Sequence, residues 1–186
     1  MYEAGDLKKG LKIEIDGEPY LLADFEFVKP GKGQALYKCR LKNLMTGAQF
    51  DRTYRSGDRF TQASLEEQQM EFLYQEGDKY CFMNTSTYDQ CWMEADRVGD
   101  ARNFLTNNLV VNVVFFQGRP MAINLPIFVE LKVVRADPGV KGDTATGATK
   151  SVTMETGYVI HVPLFIEEGE TLRIDTRTKQ YVSRVK

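Results

Sequence analysis

Val28-Lys29-Pro30-Gly31-Lys32-Gly33-Gln34-Ala35 places one lysine between two glycines, directly after a proline. The proline fixes its own φ and favours an extended conformation in the residue before it, whereas both glycines can adopt φ > 0. Strand-like runs flank the segment at residues 20–27 and 35–41. The pattern predicts a β-hairpin whose tip presents Lys32 to an anionic site or a modifying enzyme. A surface turn with a solvated lysine is the other interpretation.

Short strands separated by turns extend from this hairpin in both directions. The first unit has predicted strands at residues 11–15, 20–28, 35–44, 49–54 and 60–63, with a strong hairpin signal at Asp16-Gly17. The second has strands at 70–74, 79–83, 88–93, 109–116 and 120–125, and a short helical stretch at 95–105 broken at Gly99. A barrel with one short helix between its third and fourth strands is the OB-fold arrangement.

A third unit follows Pro126, with predicted strands at residues 128–135, 158–166, 171–175 and 180–185. Its loop at 136–150 is rich in Gly, Thr, Asp and Ala, and an irregular segment of that length indicates a functional or mobile loop. The third unit shows the same pattern as the second. The sequence therefore predicts an all-β protein of three small barrels, with domains at 1–63, 64–126 and 127–186.

The composition excludes several protein classes. The chain has 186 residues, 42% hydrophobic and 27% charged, as soluble globular proteins do. No apolar run approaches the ~20 residues of a membrane span, and the first residues lack the features of a signal peptide. Three cysteines without CxxC spacing fit a reducing compartment. We therefore expect a cytoplasmic protein without a membrane partner.

The charge is unevenly distributed along the chain. The formal net charge is −2, yet residues 29–60 hold eight basic residues against Asp51 and Asp58. Residues 61–135 carry ten acidic and six basic residues, and residues 136–186 carry seven of each. A basic patch beside the hairpin would attract phosphate groups, while the acidic middle limits indiscriminate nucleic-acid binding. A solvated charged face is the alternative explanation.

Signals for catalysis are weak, and we expect no enzyme, no catalytic residue, no cofactor and no metal site. His161 is the single histidine and alternates with apolar residues in a predicted strand, which favours a structural role. One histidine and scattered cysteines do not form a metal-binding pattern. Residues 142–151 differ from a phosphate-binding P-loop because the lysine comes two residues late and a strand pattern follows instead of a helix.

Four segments together resemble one protein family over essentially the full chain. They are KPGKGQA (29–35), DPGVKGDT (137–144), TGYVIHVPLFI (156–166) and IDTRTKQYVSRVK (174–186). In this order and spacing they identify the chain as similar to the bacterial translation elongation factor P family. One departure is Ser151-Val152, where the family usually has proline and alanine.

The resemblance implies an SH3-like (KOW-like) N-terminal domain and two OB-folds in an elongated, L-shaped arrangement, as a monomer. It also implies a protein that binds the ribosome between the P and E sites and promotes peptide-bond formation at stalled polyproline sequences. The implied partners are peptidyl-tRNA, rRNA, mRNA and a lysine-modifying enzyme related to lysyl-tRNA synthetase. That enzyme would add a β-lysyl group to Lys32, the expected modified lysine.

The expected RNA contacts fall in two regions. The basic hairpin region is expected to bind tRNA or rRNA through Lys29, Pro30, Gly31, Gly33, Arg40 and Lys42. By resemblance, the third domain would contact mRNA or rRNA through Gly142, Asp143, Thr144, Tyr181 and Arg184.

A sequence-tolerant, single-stranded RNA-binding OB-fold protein is the alternative function. Such proteins bind RNA through stacked aromatic side chains and a basic groove. We expect the strand aromatics here to be core residues instead; they are Tyr74, Tyr80, Phe82, Phe115 and Phe116.

Overall fold

The computed structural model describes residues 1–139 and 147–186. The predicted RNA-contacting loop residues Gly142, Asp143 and Thr144 therefore lie outside the described residues. Strands are the main secondary structure of the described chain and helical segments are short, which confirms the all-β prediction.

The strands and helices follow each other in short segments. The strands are β1 Tyr2–Glu3, β2 Lys12–Ile15, β3 Glu18–Val28, β4 Leu36–Asn43, β5 Gln49–Arg55, β6 Arg59–Gln62, β7 Leu65–Glu76, β8 Lys79–Asn84, β9 Gln90–Glu94, β10 Val110–Phe116, β11 Arg119–Asn124, β12 Phe128–Ala136, β13 Thr149–Met154, β14 Val159–Pro163, β15 Thr171–Asp175 and β16 Gln180–Val185. Helix α1 is Ala95–Val98, and 3₁₀ turns cover Ala4–Asp6 and Gly99–Asn103. Gly99 has φ +56°, so the predicted break in the helix at this residue is confirmed.

The strands form three sheets. The first has the order β1-β6-β2-β3-β4-β5, the second β11-β10-β7-β8-β9 and the third β14-β13-β12-β15-β16. In both five-stranded sheets the first strand lies at the centre, with the second and third strands on one side and the fourth and fifth on the other. This shared order, with α1 between β9 and β10, agrees with the OB-fold arrangement.

The chain forms two compact units. One comprises Met1–Glu66 and Phe115–Met121, and the other Glu67–Val114 and Ala122–Lys186. The three predicted domains at 1–63, 64–126 and 127–186 stay a prediction.

The first unit is built around the apolar faces of its strands. The buried cluster comprises Ala4, Leu7, Leu11, Ile13, Leu22, Cys39, Leu41, Tyr54 and Phe60. On β4 the buried side chains alternate with exposed ones, as expected for a strand with one face on a core and one face in water.

The core of the third sheet includes a side chain from outside that sheet. Phe104, which follows the second 3₁₀ turn, is 1% exposed and belongs to the same buried cluster as Leu131, Met154 and Leu172. Its ring lies 5.4 Å from that of Tyr158, measured between centroids. The apolar core of the third sheet thus extends into the segment predicted as the second domain.

Polar contacts accompany Phe104 on the same side of the third sheet. The Thr156 hydroxyl donates to the Asn103 carbonyl at 2.6 Å, and the Lys179 ammonium lies 2.9 Å from the Asp100 carboxylate. The hydrogen bond from Lys179 lowers the pKa of Asp100. These contacts fix the 3₁₀ segment against the third sheet.

Several elements differ from the sequence prediction, among them β1 and the 3₁₀ turn that follows it, which were not predicted. The strands predicted for the third unit do not include β13, although a strand pattern follows Lys150. Only Val152 and Met154 of its six residues are buried, so the pattern is too weak to give its bounds. Its position comes from pairing with β12 and β14, which local sequence does not report. Strand β7 also begins earlier than predicted, at Leu65 instead of residue 70, since its first half is polar and largely exposed.

Candidate functional site

The segment around Lys32 forms the tip of the β3–β4 hairpin. The two strands pair in antiparallel register up to Val28 and Leu36, leaving residues 29–35 as the connection. Lys32 is exposed, and within residues 1–139 and 147–186 its side chain has no recorded hydrogen bond or ion pair. Gly33 has φ +131°, a conformation that side-chain-bearing residues rarely adopt. The predicted hairpin that presents Lys32 is therefore confirmed.

A row of aromatic rings supports the stem of this hairpin, which the sequence analysis did not identify. Phe27 on β3 lies opposite Tyr37 on β4, with ring centroids 5.1 Å apart. Tyr37 lies opposite Tyr54 on β5, whose ring packs edge-on against buried Phe60 at 4.6 Å. The row leads from the core outward to Phe27, which is 51% exposed. The hairpin stem is thus braced by the barrel core.

The outer face of β4 carries the cations Lys38, Arg40 and Lys42, which alternate with buried residues. Strand register places acids beside the first two: Glu26 lies opposite Lys38, and Asp24 lies opposite Arg40. On the other side Arg40 Nε lies 3.1 Å from Asp51 Oδ1, and this hydrogen bond raises the pKa of Arg40.

Lys42 has different neighbours on the same face. It lies opposite Leu21 on β3 and Gln49 on β5, both uncharged. The charge of the patch is therefore concentrated at Lys42 and the hairpin tip, where Lys29 is also exposed. The excess of basic residues counted along residues 29–60 is partly neutralised by acids that β3 contributes.

The two predicted contact residues at the end of the chain make different contacts. Both lie on β16, Tyr181 opposite Ile174 and Arg184 opposite Leu172, with a register shift between the two pairs. Tyr181 packs against the core of the third sheet. The Arg184 guanidinium lies 3.0 Å from Glu170 Oε1 and 4.8 Å from the centre of the Phe165 ring. A hydrogen bond from the Glu167 backbone N–H, supported by Arg184, lowers the pKa of Glu170.

The candidate nucleophiles are poorly placed for chemistry. Burial raises the pKa of Cys39 and of Cys91 to about 11, so both thiols stay protonated near neutral pH. His161 is exposed on β14, and its Nδ1 lies 3.5 Å from the Ser151 hydroxyl. Among the described residues, no group of three or more His, Cys, Asp or Glu side chains could hold a metal ion.

One aromatic expectation is wrong. Tyr80, Phe82, Phe115 and Phe116 are buried, as expected, but Tyr74 is 46% exposed. Its ring packs edge-on against Trp92, with centroids 5.7 Å apart and Cys81 between them in the sheet. Regular alternation would place Tyr74 on the same face of β7 as Phe72. A bulge shifts the register between these two residues and turns Tyr74 to the opposite face.

No helix in the described ranges is long and apolar enough to cross a membrane.

Comparisons with known proteins agree with this architecture. Residues 3–60 match the family described as "Elongation factor P (EF-P) KOW-like domain", residues 65–123 "Elongation factor P (EF-P) OB domain" and residues 129–184 "Elongation factor P, C-terminal". The chain is 59% identical to Elongation factor P of Desulfosudis oleivorans, and the match covers all of both chains. It is 56% identical to that of Syntrophus aciditrophicus, again over the full length of both.

A solved structure supports the fold. The chain is similar to the eukaryotic translation initiation factor 5A from Methanococcus jannaschii, with a TM-score of 0.55 and 20% identity, over 67% of this chain and 93% of the other. Together with the family matches, this likeness confirms the predicted KOW-like and OB architecture.

Proposed function

Because this chain belongs to the elongation factor P family of translation elongation factors, we propose that it binds the ribosome beside the P-site peptidyl-tRNA. There it promotes peptide-bond formation on stalled polyproline sequences, and the exposed Lys32 acts at the tip of the first-barrel hairpin. This proposal also places the protein in the cytoplasm.

The proposal is carried by the exposure of Lys32 at the tip of a hairpin whose stem packs on the barrel core, without an ion pair to any described residue. Proline has a locked φ and a secondary amine, so it is a poor reactant in peptide transfer. Misplacing a reacting atom by ~1 Å can cost ~100-fold in rate, so a protein that holds the end of the tRNA accelerates the step without supplying a catalytic base. Lys32 offers reach and charge, and the aromatic row from Phe60 to Phe27 keeps its hairpin in place.

The same exposure suits covalent modification. We propose that an enzyme related to lysyl-tRNA synthetase joins the activated carboxyl of β-lysine to Nζ of Lys32, with loss of the activating group. The new amide is neutral, but the two amines of the β-lysyl group carry positive charge at the end of a longer side chain. Residues 31–34 are all exposed at the hairpin tip, so the Lys32 ammonium is open to solvent and to a modifying enzyme. An intact-mass measurement of the natively purified protein shows whether the chain carries an adduct of this mass, and its absence from Lys32→Arg assigns the adduct to Lys32.

The remaining RNA contacts are proposed on both ends of the chain. Lys29, Pro30, Gly31 and Gly33 surround the modified lysine and would lie against the tRNA end, while Arg40 and Lys42 would contact phosphates. In the third domain the loop at residues 142–144, together with Tyr181 and Arg184, would contact mRNA or rRNA. The ion pair of Arg184 with Glu170 makes it a weaker phosphate ligand than a free cation.

The experiment that tests the proposed function is reconstituted translation of two matched messages, one with a run of prolines and one without. We expect the added protein to restore full-length product from the polyproline message and to leave the other message unaffected. Equal yields from the polyproline message with and without the protein would contradict the proposal.

The structure predicts unequal roles for the two cations of the β4 face. Lys42→Gln should lower the slope of log affinity against log salt concentration by about 0.7–0.9 for ribosomes carrying P-site tRNA. Arg40→Gln should have a smaller effect, because Asp24 and Asp51 already offset its charge. Affinities measured over a salt series test this order. Equal slopes for both variants and the unmodified chain would show that this face of β4 is solvated and does not contact phosphates.

The exposed Tyr74–Trp92 pair favours one second candidate, sequence-tolerant binding of single-stranded RNA. Aromatic side chains on the sheet of an OB-fold stack on bases. Here Glu76 and Glu94 lie on the same strands as Tyr74 and Trp92, and their negative charges would repel a phosphate backbone. A salt-sensitive affinity for free oligonucleotides, lost in Trp92→Ala, would support this candidate over the ribosomal one.

A further inference from the structure

A second cationic surface of the first barrel lies away from the hairpin tip. Lys8, Lys9 and Lys12 line an open cavity of about 650 Å³ together with Tyr2, Gln62 and Ser64. Among the residues that line this cavity, none is acidic. In the described part of the chain, the three lysine side chains have no recorded ion pair or hydrogen bond.

The backbone holds these lysines in place. The Leu11 N–H donates to the Lys8 carbonyl at 3.1 Å, which closes a tight turn with Lys9 and Gly10 at its centre. Gly10 has φ +90°, as the third position of a type II turn requires. Buried Leu7 and Leu11 anchor the turn on both sides. The cations therefore stand on a fixed segment, which reduces the ordering entropy that binding costs.

Lys12, which follows the turn at the start of β2, lies in one row across the first sheet with Lys42 on β4. Lys12 lies opposite Leu21, and Leu21 lies opposite Lys42. Two strand spacings separate the Cα atoms of Lys12 and Lys42, about 10 Å. The nearest acids along the chain are Asp6, whose carboxylate accepts from the Glu3 N–H at 2.9 Å, and Glu14 on the same face of β2 as Lys12.

We propose that Lys8, Lys9 and Lys12 form a second RNA-binding site, which holds backbone phosphates of tRNA or rRNA. This inference rests on the proposed function. Three cations that form no ion pair among the described residues, beside hydroxyl and amide groups, suit phosphate oxygens. On β3, Leu21 lies beside Lys12 and Val28 lies at the start of the hairpin tip. The seven residues of strand from one to the other span roughly 20–25 Å, which is the distance between the two sites. One phosphate cannot reach both places, so a structured RNA would be held at two points and Lys32 would be aimed more accurately.

The test is a charge-removal variant, Lys8→Gln with Lys9→Gln and Lys12→Gln, against a control that removes three cations outside the first sheet: Lys79→Gln on β8, Arg102→Gln in the second 3₁₀ turn and Arg119→Gln on β11. Affinity for ribosomes carrying P-site tRNA is measured over a salt series. The site variant should lose ~10-fold or more at low salt, with a salt slope smaller by about 2–3, while the control should match the unmodified chain. A variant that replaces the same three lysines with arginine should retain the slope.

Two further arms separate the outcomes. A loss seen only when P-site tRNA is present assigns the phosphates to tRNA, and an equal loss on vacant ribosomes assigns them to rRNA; both support the site. A slope equal to that of the control overturns it. If the unmodified chain neither binds nor relieves polyproline stalling, the proposed function fails. If it does both and the site variant keeps its slope, only this inference fails.

Discussion

Lys32→Ala should abolish the relief of polyproline stalling and leave the melting temperature nearly unchanged. The side chain is exposed at a hairpin tip and contributes no recorded ion pair or hydrogen bond within residues 1–139 and 147–186, so folding should not depend on it. Reconstituted translation of a polyproline message measures the loss, and thermal unfolding measures stability. Lys132→Ala, an exposed lysine on β12, is the matched control and should behave as the unmodified chain.

Lys32→Arg separates charge from modification. Arginine keeps the positive charge but offers no amine for a β-lysyl group, so we expect partial relief, below that of the modified chain. Full activity of Lys32→Ala would contradict the role of this residue. If Lys32→Arg is fully active and Lys32→Ala is not, the positive charge at position 32 is required and the β-lysyl group is not.

Phe104→Ala should lower the free energy of unfolding by about 3–5 kcal/mol, the usual cost of removing a buried phenylalanine. The ring is almost fully buried in the core of the third sheet and packs against Tyr158. Its loss leaves a cavity that the surrounding strands can fill only in part. Denaturant unfolding followed by a probe in the third sheet measures the change.

Val134→Ala on β12 is the control for this variant. Val134 is exposed, so its truncation should change the free energy of unfolding by less than about 1 kcal/mol. A cost for Phe104→Ala as small as that of the control would show that the third sheet does not depend on this ring. Modification of Lys32 should be unaffected in both variants, because the hairpin belongs to the other compact unit.

Local sequence signals predicted most of the fold. Turn residues and alternation located the β3–β4 hairpin and nearly all strands, because glycines and exposed polar residues mark where strands end. The OB-fold arrangement of the second unit followed from its five predicted strands and the helical stretch between the third and fourth of them. Strand β13 was left out of the third unit, since its own pattern is mostly polar and its place depends on pairing with β12 and β14.

The site was predicted in position but not in its electrostatics. Counting charges along residues 29–60 omits Asp24 and Glu26, which strand register brings beside Arg40 and Lys38. The stem aromatics were missed for a similar reason: Phe27 and Tyr37 meet only once the register is known. The exposure of Tyr74 depends on a β-bulge, which has no clear signal in a single sequence.

The most direct test of the central claim is a photo-crosslink from position 32 to ribosome-bound RNA. A photoreactive amino acid replaces Lys32, and a second variant carries it at Asp16, in the tight β2–β3 turn of the same barrel. The account predicts that position 32 crosslinks to the last nucleotides of the P-site tRNA, only when that tRNA is present, and that position 16 does not. The account would be contradicted if position 32 did not crosslink to the P-site tRNA, or if its crosslinks were the same as those from position 16.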